Sequence, residues 1–177
     1  FGAPSDALIA GNLHGVPMVF LPRHGVGHRH TPTEVPYLAN IWALKKMGVK
    51  PGDRVVAYMP NIPQTVVALL AVASIGAIWS SAAPEFGARA VVDRFAQIEP
   101  TVLLTVDGYR YGGKDVRRLD VVAGLLEELP TVRHTVVLPL LEPDADPRPL
   151  RGGMRWDELE QAGADRQEQR VVLLAQL

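Results

Sequence analysis

The chain has 177 residues, 47% of them apolar and 21% charged, with a formal net charge of −1 and no cysteine. These are the proportions of a soluble globular protein long enough to bury a core without staples. They exclude disulfides, thiol nucleophiles and thiolate metal sites, and they give no electrostatic reason to expect nucleic acid or an anionic membrane as partner.

Ala7–Ala10 and Val16–Leu21 are apolar runs joined through the turn formers Gly11, Asn12, His14 and Gly15, which predicts a β-hairpin. A polar loop, Arg23–Thr31, follows with three histidines and two glycines. The spacing of Leu38, Ile41, Trp42 and Leu44 predicts a helix from about Pro36 to Met47, with Thr33 as N-cap and Gly48 at C′. Lys45 and Lys46 in its last turn suit the helix dipole.

From residue 48 onward, short apolar runs alternate with longer helical ones. Arg54–Met59, Ala77–Ser80, Thr101–Val106 and Thr135–Leu138 read as strands, and the apolar run from the Pro-Asn-Ile-Pro break to Ser74, closed by Gly76, with Ala88–Glu99 and Leu119–Leu129, as helices. That alternation predicts an α/β fold, a mostly parallel sheet of about four strands flanked by helices on both faces. Val66, Leu69, Leu70, Val91, Val92, Phe95 and Ile98 are expected in the core. Trp79, Ser80 and Ser81, with Phe86 and Gly87, are read as a strand running into a loop. Asp107–Asp115 reads as a basic, glycine-rich loop, and 139–153 as a proline-rich one. Met154–Leu159 reads as a short strand or turn entering a helix. The longest apolar run, Val66–Ser74, is about half of a membrane span. The start, lacking both Met and a signal-peptide pattern, and the apolar end at Leu177 are read as fragment edges.

Two stretches carry resemblances. The words GVKPGDRVVAYMPNIPQTVVALLAVASIGAIWSS, PEFGARAVVDRFAQIEP, VDGYRYGGKDVRR and RHTVVLP, within about 48–163, resemble the N-terminal subdomain of the adenylate-forming acyl-CoA synthetases, in their acetoacetyl-CoA synthetase branch. The words FGAPSDAL and VFLPRHGVGHRHTPTEVPYLANIWALKKMGV, within about 1–47, resemble instead the methylthioadenosine phosphorylase branch of the purine nucleoside phosphorylases. The chain is thus expected to be a chimera of a 1–47 and a 48–177 segment, joined between Ala43 and Val49.

The candidate sites follow. Arg110, Gly112, Gly113 and Lys114 combine cations with glycines that let a backbone approach an anion. The synthetase resemblance implies that this loop touches the nucleotide phosphate of coenzyme A. Arg23 and His24 offer a guanidinium fork and an imidazole donor for phosphate. The phosphorylase resemblance adds His28 nearby. A metal on His24, His28 and His30 lacks a carboxylate or thiolate at the usual spacing, and Arg29 repels a cation, so no metal site is expected. Ser80 and Ser81 lack a nucleophile elbow, and no catalytic residue is assigned. By resemblance the cofactors are ATP, coenzyme A and magnesium. The synthetases' phosphate loop and C-terminal lid would lie beyond Leu177, so these residues alone are expected to bind small anions without acting as a ligase. A phosphorylase-derived phosphate half-site and a wholly non-catalytic fragment are the alternatives. A cytoplasmic setting and possible self-association through unpaired strand edges complete the expectations.

Overall fold

The computed structural model describes residues 9–13, 16–20 and 36–163, with side chains described from Leu38 onward. The chain divides into two compact units, Phe1–Thr31 and Pro32–Leu177. In the first, strands β1 (Ile9–Leu13) and β2 (Val16–Phe20) form an antiparallel hairpin in the register Ile9↔Phe20 to Leu13↔Val16. The ladder therefore includes Gly11 and Asn12, which composition alone assigns to the turn.

The second unit is built on a five-stranded sheet. Its strands are β3 (Arg54–Tyr58), β4 (Ile78–Ala82), β5 (Val102–Val106), β8 (His134–Leu138) and β9 (Gly153–Arg155). Their spatial order is β4-β3-β5-β8-β9, and every pairing is parallel. The α/β expectation holds with one strand more than the sequence pattern counts. The fifth, β9, is only three residues long, too short to show a period of two.

Alternation along the strands splits the core in two. Val55, Ala57, Val102, Leu104, Val106 and Val136 point to one face, where α1 (Pro36–Lys46), α2 (Pro63–Ile75) and a helix described over 156–163 cover them. Val56, Tyr58, Leu103 and Val137 point to the other, under α3 (Ala88–Phe95) and α4 (Leu119–Glu128). Strands buried on both faces read as continuous apolar runs, which is why β3 and β5 are legible in the sequence. Burial of Phe95 and Leu125 between α3, α4 and the sheet contributes about 1.5–3 kcal/mol each.

Helix α1 belongs with the sheet unit: Ile41, Ala43 and Leu44 pack with Ala68, Ala71, Val72 and Ile75 of α2. Both helices end in the same device. Gly48 (φ 87°) and Gly76 (φ 78°) take the left-handed conformation, and the amides of Gly48 and Val49, and of Gly76 and Ala77, donate to the last carbonyls. At the amino-terminal edge of the sheet Arg54 closes the 3-10 turn Ala96–Ile98 that follows α3, donating from Nε to the Ile98 carbonyl at 2.6 Å and from Nη2 to that of Glu99 at 2.9 Å. That edge is occupied by structural bonds.

Three expectations are corrected. Val66, Leu69 and Leu70 are not core residues; they are 54%, 38% and 52% exposed. Helix α2 is apolar on all sides, and periodicity cannot tell which side of such a helix meets the sheet. The strand read as Ala77–Ser80 spans Ile78–Ala82, so Trp79–Ser81 lie within β4 and the loop that carries Phe86 and Gly87 begins at Ala83. Asp107–Asp115 is not an irregular loop but part of a second hairpin, β6 (Gly108–Tyr111) with β7 (Lys114–Arg117).

Candidate functional site

In sequence order the five parallel strands stand 2-1-3-4-5. The chain leaves β3 toward one edge, through α2 to β4, and returns through α3 to β5 on the other side of β3. The crevice outside the carboxyl ends of β3 and β5 is therefore the topological switch point, where open α/β sheets bind ligands.

At β3 the last residue is Tyr58, fully buried. Its hydroxyl lies 2.8 Å from both the Pro84 and the Phe86 carbonyl oxygens and donates its single proton between them, fastening the β4–α3 loop. Burial pushes the phenol's pKa up, with Arg118 pulling in the opposite direction. At β5 the chain runs into Asp107 and Gly108. The Asp107 carboxylate, 3% exposed, accepts from three consecutive amides: Leu140 at 2.6 Å, Leu141 at 3.1 and 3.2 Å, and Glu142 at 2.7 Å. Gly108 has no room for a side chain, since a Cβ would lie 2.5 Å from Leu141 Cδ1 and from the Val116 carbonyl oxygen. Arg117 adds an ion pair to Glu142 at 2.5 Å. The β6–β7 hairpin is thus bolted at its base to the loop that follows β8.

Its tip stands free. Gly112 (φ 55°) and Gly113 (φ 75°) form a two-residue turn with both φ positive, the type I′ geometry that matches strand twist. Of the residues the sequence pattern selects, Arg110 sits on β6, the two glycines make the turn and Lys114 opens β7. Arg110 donates from Nε to Asp115 at 2.7 Å across the hairpin, and this bond holds the Asp115 carboxyl below its ordinary range. Lys114 has no carboxylate partner among the described residues. Arg118, at the N-cap of α4, donates from Nη2 to the Tyr109 hydroxyl at 3.0 Å and lies 5.3 Å from that ring's centroid. Its Nε is buried with no partner among the described residues.

Arg23, His24 and His28 lie outside the described residues. No cluster of three metal-ligating side chains occurs among the described ones, nor does any described helix have the length and apolarity to cross a membrane. An open groove of about 610 Å³ between α3 and α4 is lined by Asp93, Asp120 and Glu128 against Arg89, a balance that repels phosphates. Tyr58, Asp107, Tyr109 and Arg118 escape composition-based selection. The signals for them are a D-G pair at a strand end and a Tyr-x-Tyr alternation before Gly-Gly.

Comparison with known proteins fits this architecture. The profile of the family described as AMP-binding enzyme matches residues 28–172. The chain belongs to that family. An acetoacetyl-CoA synthetase of Xenopus tropicalis is 48% identical over 101 residues, covering 57% of this chain and 15% of the relative. That of Rhizobium meliloti (strain 1021) is 45% identical over 102 residues, covering 56% and 16%. The solved acetoacetyl-CoA synthetase from Streptomyces lividans superposes with a TM-score of 0.64 and 51% identity, over 71% of this chain and 19% of that one. The chain therefore spans less than a fifth of the length of these relatives. The AMP-binding match also takes in 28–47, including α1 and the expected joint between Ala43 and Val49. A phosphorylase segment finds no support in these comparisons.

Proposed function

We propose that this chain is the N-terminal part of an ATP-dependent acyl-CoA ligase acting on acetoacetate, and that it presents the nucleotide end of coenzyme A with Arg110, Gly112, Gly113 and Lys114. The observation that carries this reading is 51% identity with a synthetase of that name over a shared fold. ATP, coenzyme A and magnesium are the cofactors of the reading. For a phosphate of coenzyme A the described residues fit, through the cation of Lys114 and the open glycine turn. They hold no cluster of three metal ligands, and no step is assigned to magnesium.

What these residues do is bind and orient. Cationic groups that hold a phosphate equally in ground and transition states accelerate nothing by themselves. Adenylation needs preorganised donors around the α-phosphate, and no side chain described here is assigned to it. We expect the 177 residues alone to bind coenzyme A without turnover. Coenzyme A should shift the backbone amide resonances of Gly112 and Gly113, and dephospho-coenzyme A, lacking the 3′-phosphate, should shift them less. Equal effects of the two ligands would refute the phosphate contact. Pyrophosphate release and acetoacetyl-CoA formation with ATP, magnesium, acetoacetate and coenzyme A should stay at the no-protein blank. Turnover that vanishes in Arg110→Ala would refute inactivity.

A second reading concerns the first compact unit. The phosphorylase-like words around Arg23, His24 and His28 suggest a phosphate half-site within the unit Phe1–Thr31. On this reading phosphate in the millimolar range perturbs the His24 ring resonances, and unchanged spectra reject it. A cytoplasmic setting, supported by the lack of cysteine, and self-association of the isolated chain belong to the main reading.

A further inference from the structure

Helices α3 and α4 lie side by side on one face of the sheet, with the open groove of about 610 Å³ between them. Its walls are one stripe of each helix, Val92 and Asp93 from α3 and Asp120, Gly124 and Glu128 from α4, in keeping with helical spacing. The floor is apolar. Leu125 is fully buried, Val92 and Val121 are half-buried, and a Cβ added at Gly124 would meet nothing within 4 Å, so the trough is open along its length. The rim is acidic. Asp93 has Arg89 at 3.6 Å, but neither Asp120 nor Glu128 has a cationic partner among the described residues. Glu127 and Glu128 moreover end α4 with no basic residue in its last turn, so two carboxylates oppose the helix dipole there.

A third helix laid in this trough answers the floor and the rim together. Its apolar side chains cover Val92, Val121 and Leu125, and the missing side chain at Gly124 lets its ridge sit deep between α3 and α4. Asp120 and Glu128 stand about 12 Å apart along α4, at 1.5 Å per residue, so cations two turns apart on the incoming helix reach both. A cation at Glu128 also offsets the charge that the end of α4 leaves uncompensated. We propose that the α3–α4 groove is the docking site for a basic amphipathic helix of a partner protein. Charge complementarity selects this occupant: the rim opposes an acidic helix or an anionic surface, and a free polyamine leaves the apolar floor in water. The groove lies apart from the β6–β7 hairpin, and the proposal does not depend on the coenzyme contact assigned there.

The test uses the whole chain and a synthetic peptide of about fifteen residues, the length at which an isolated helix begins to hold, built on the pattern Lys-Ala-Ala-Leu-Leu-Ala-Ala-Lys. A twin with Glu in place of Lys is the control. Two-dimensional NMR should show the lysine peptide shifting the amides of Val121, Gly124 and Leu125 with a Kd of about 0.1–1 mM, and the twin binding at least about tenfold more weakly. Asp120→Asn combined with Glu128→Gln should weaken the lysine peptide about fivefold, as loss of two exposed ion pairs implies, and high salt should do the same to the wild type. Gly124→Leu should weaken it about tenfold by filling the trough; leucine suits a helix and its Cβ meets nothing, so α4 is kept, and unchanged ligand-free amide positions in β5 verify this. No shift of the groove amides by the lysine peptide overturns the proposal. Equal binding of the two peptides, or binding that survives Gly124→Leu, also overturns it, because attraction is then general and not seated in the groove. Groove amides that shift with protein concentration alone assign the face to a second copy of this chain and overturn it as well.

Discussion

Replacing Asp107 by alanine tests how the end of β5 holds the loop that follows β8. The carboxylate accepts four short contacts from the amides of Leu140, Leu141 and Glu142, two of them at 2.6 and 2.7 Å. A hydrogen bond to a charged group contributes about 1.5–3 kcal/mol, and an amide left unpaired in a buried site costs about 1–3 kcal/mol. The two short bonds count nearly in full and the divided Leu141 bond less. The loop can open enough for water to recover part of the loss, so the expected cost is about 3–4 kcal/mol, a large share of a total of about 5–15 kcal/mol. Asn at 107 keeps one acceptor oxygen and turns an amide N–H toward another donor, for about half that loss. Urea unfolding followed by circular dichroism reads the difference: with a slope near 2 kcal/mol per molar, Asp107→Ala should lower the midpoint by about 1.5–2 M. Hydrogen exchange should quicken first at residues 140–142. The exposed carboxylate of Asp115 serves as reference. A loss for Asp107→Ala within about 0.5 kcal/mol of that for Asp115→Ala would refute the reasoning.

Further outcomes follow from other contacts. Gly152→Ala should destabilise far more than Gly112→Ala, because a Cβ at 152 collides with the Arg133 carbonyl while one at 112 meets nothing within 4 Å; the exposed site loses only about 1–2 kcal/mol of left-handed strain. Equal melting temperatures for the two variants would contradict this. Phe95→Ala should cost about 3–5 kcal/mol by urea titration, since its ring is fully buried between α3, α4 and the sheet; a cost under about 1 kcal/mol would mean that α3 does not dock there. The Asp115 carboxyl, held below its ordinary 3.8 by Arg110, stabilises the hairpin at and above that pH and loses the effect as pH falls through its lowered value. Carboxyl NMR should show a depressed midpoint that rises toward the ordinary one with added salt, and a midpoint indifferent to Arg110→Ala would break the assignment. The isolated chain should self-associate in sedimentation velocity, and Leu70→Lys should reduce it, because Val66, Leu69, Leu70 and Ile78 are exposed on α2 and the edge strand β4; a monomer at all concentrations would count against a sticky face.

The parts of the fold that could be read in the sequence are those whose physics is local or two-sided. Strands β3 and β5 are buried on both faces, so they show as unbroken apolar runs, and Gly48 and Gly76 mark helix ends because only glycine adopts those backbone angles without strain. What was hidden depends on partners distant in sequence. Nothing near Asp107 announces amides 33 to 35 residues away, and nothing near Val66 says that α2 turns its alanines, not its leucines, toward the sheet. Between Arg54 and Glu85 no charged residue occurs, so no polar face orients the helix. At the candidate site, residue type alone selected Arg110, Gly112, Gly113 and Lys114 as candidates. Which cations are already neutralised emerged only from strand pairing across the hairpin, since alternation decides who faces whom.

The contrast between the bolted base and the open tip of the β6–β7 hairpin separates two kinds of mutational freedom. At the base, Gly108 admits no side chain and Asp107 serves three amides, so change there is felt in the sheet. At the tip, a Cβ added at Gly112 or Gly113 would meet nothing within 4 Å, and Tyr111 points into solvent. Residues 110–115 therefore form an exchangeable cassette: they can be lengthened, shortened or recharged while the scaffold beneath stays the same.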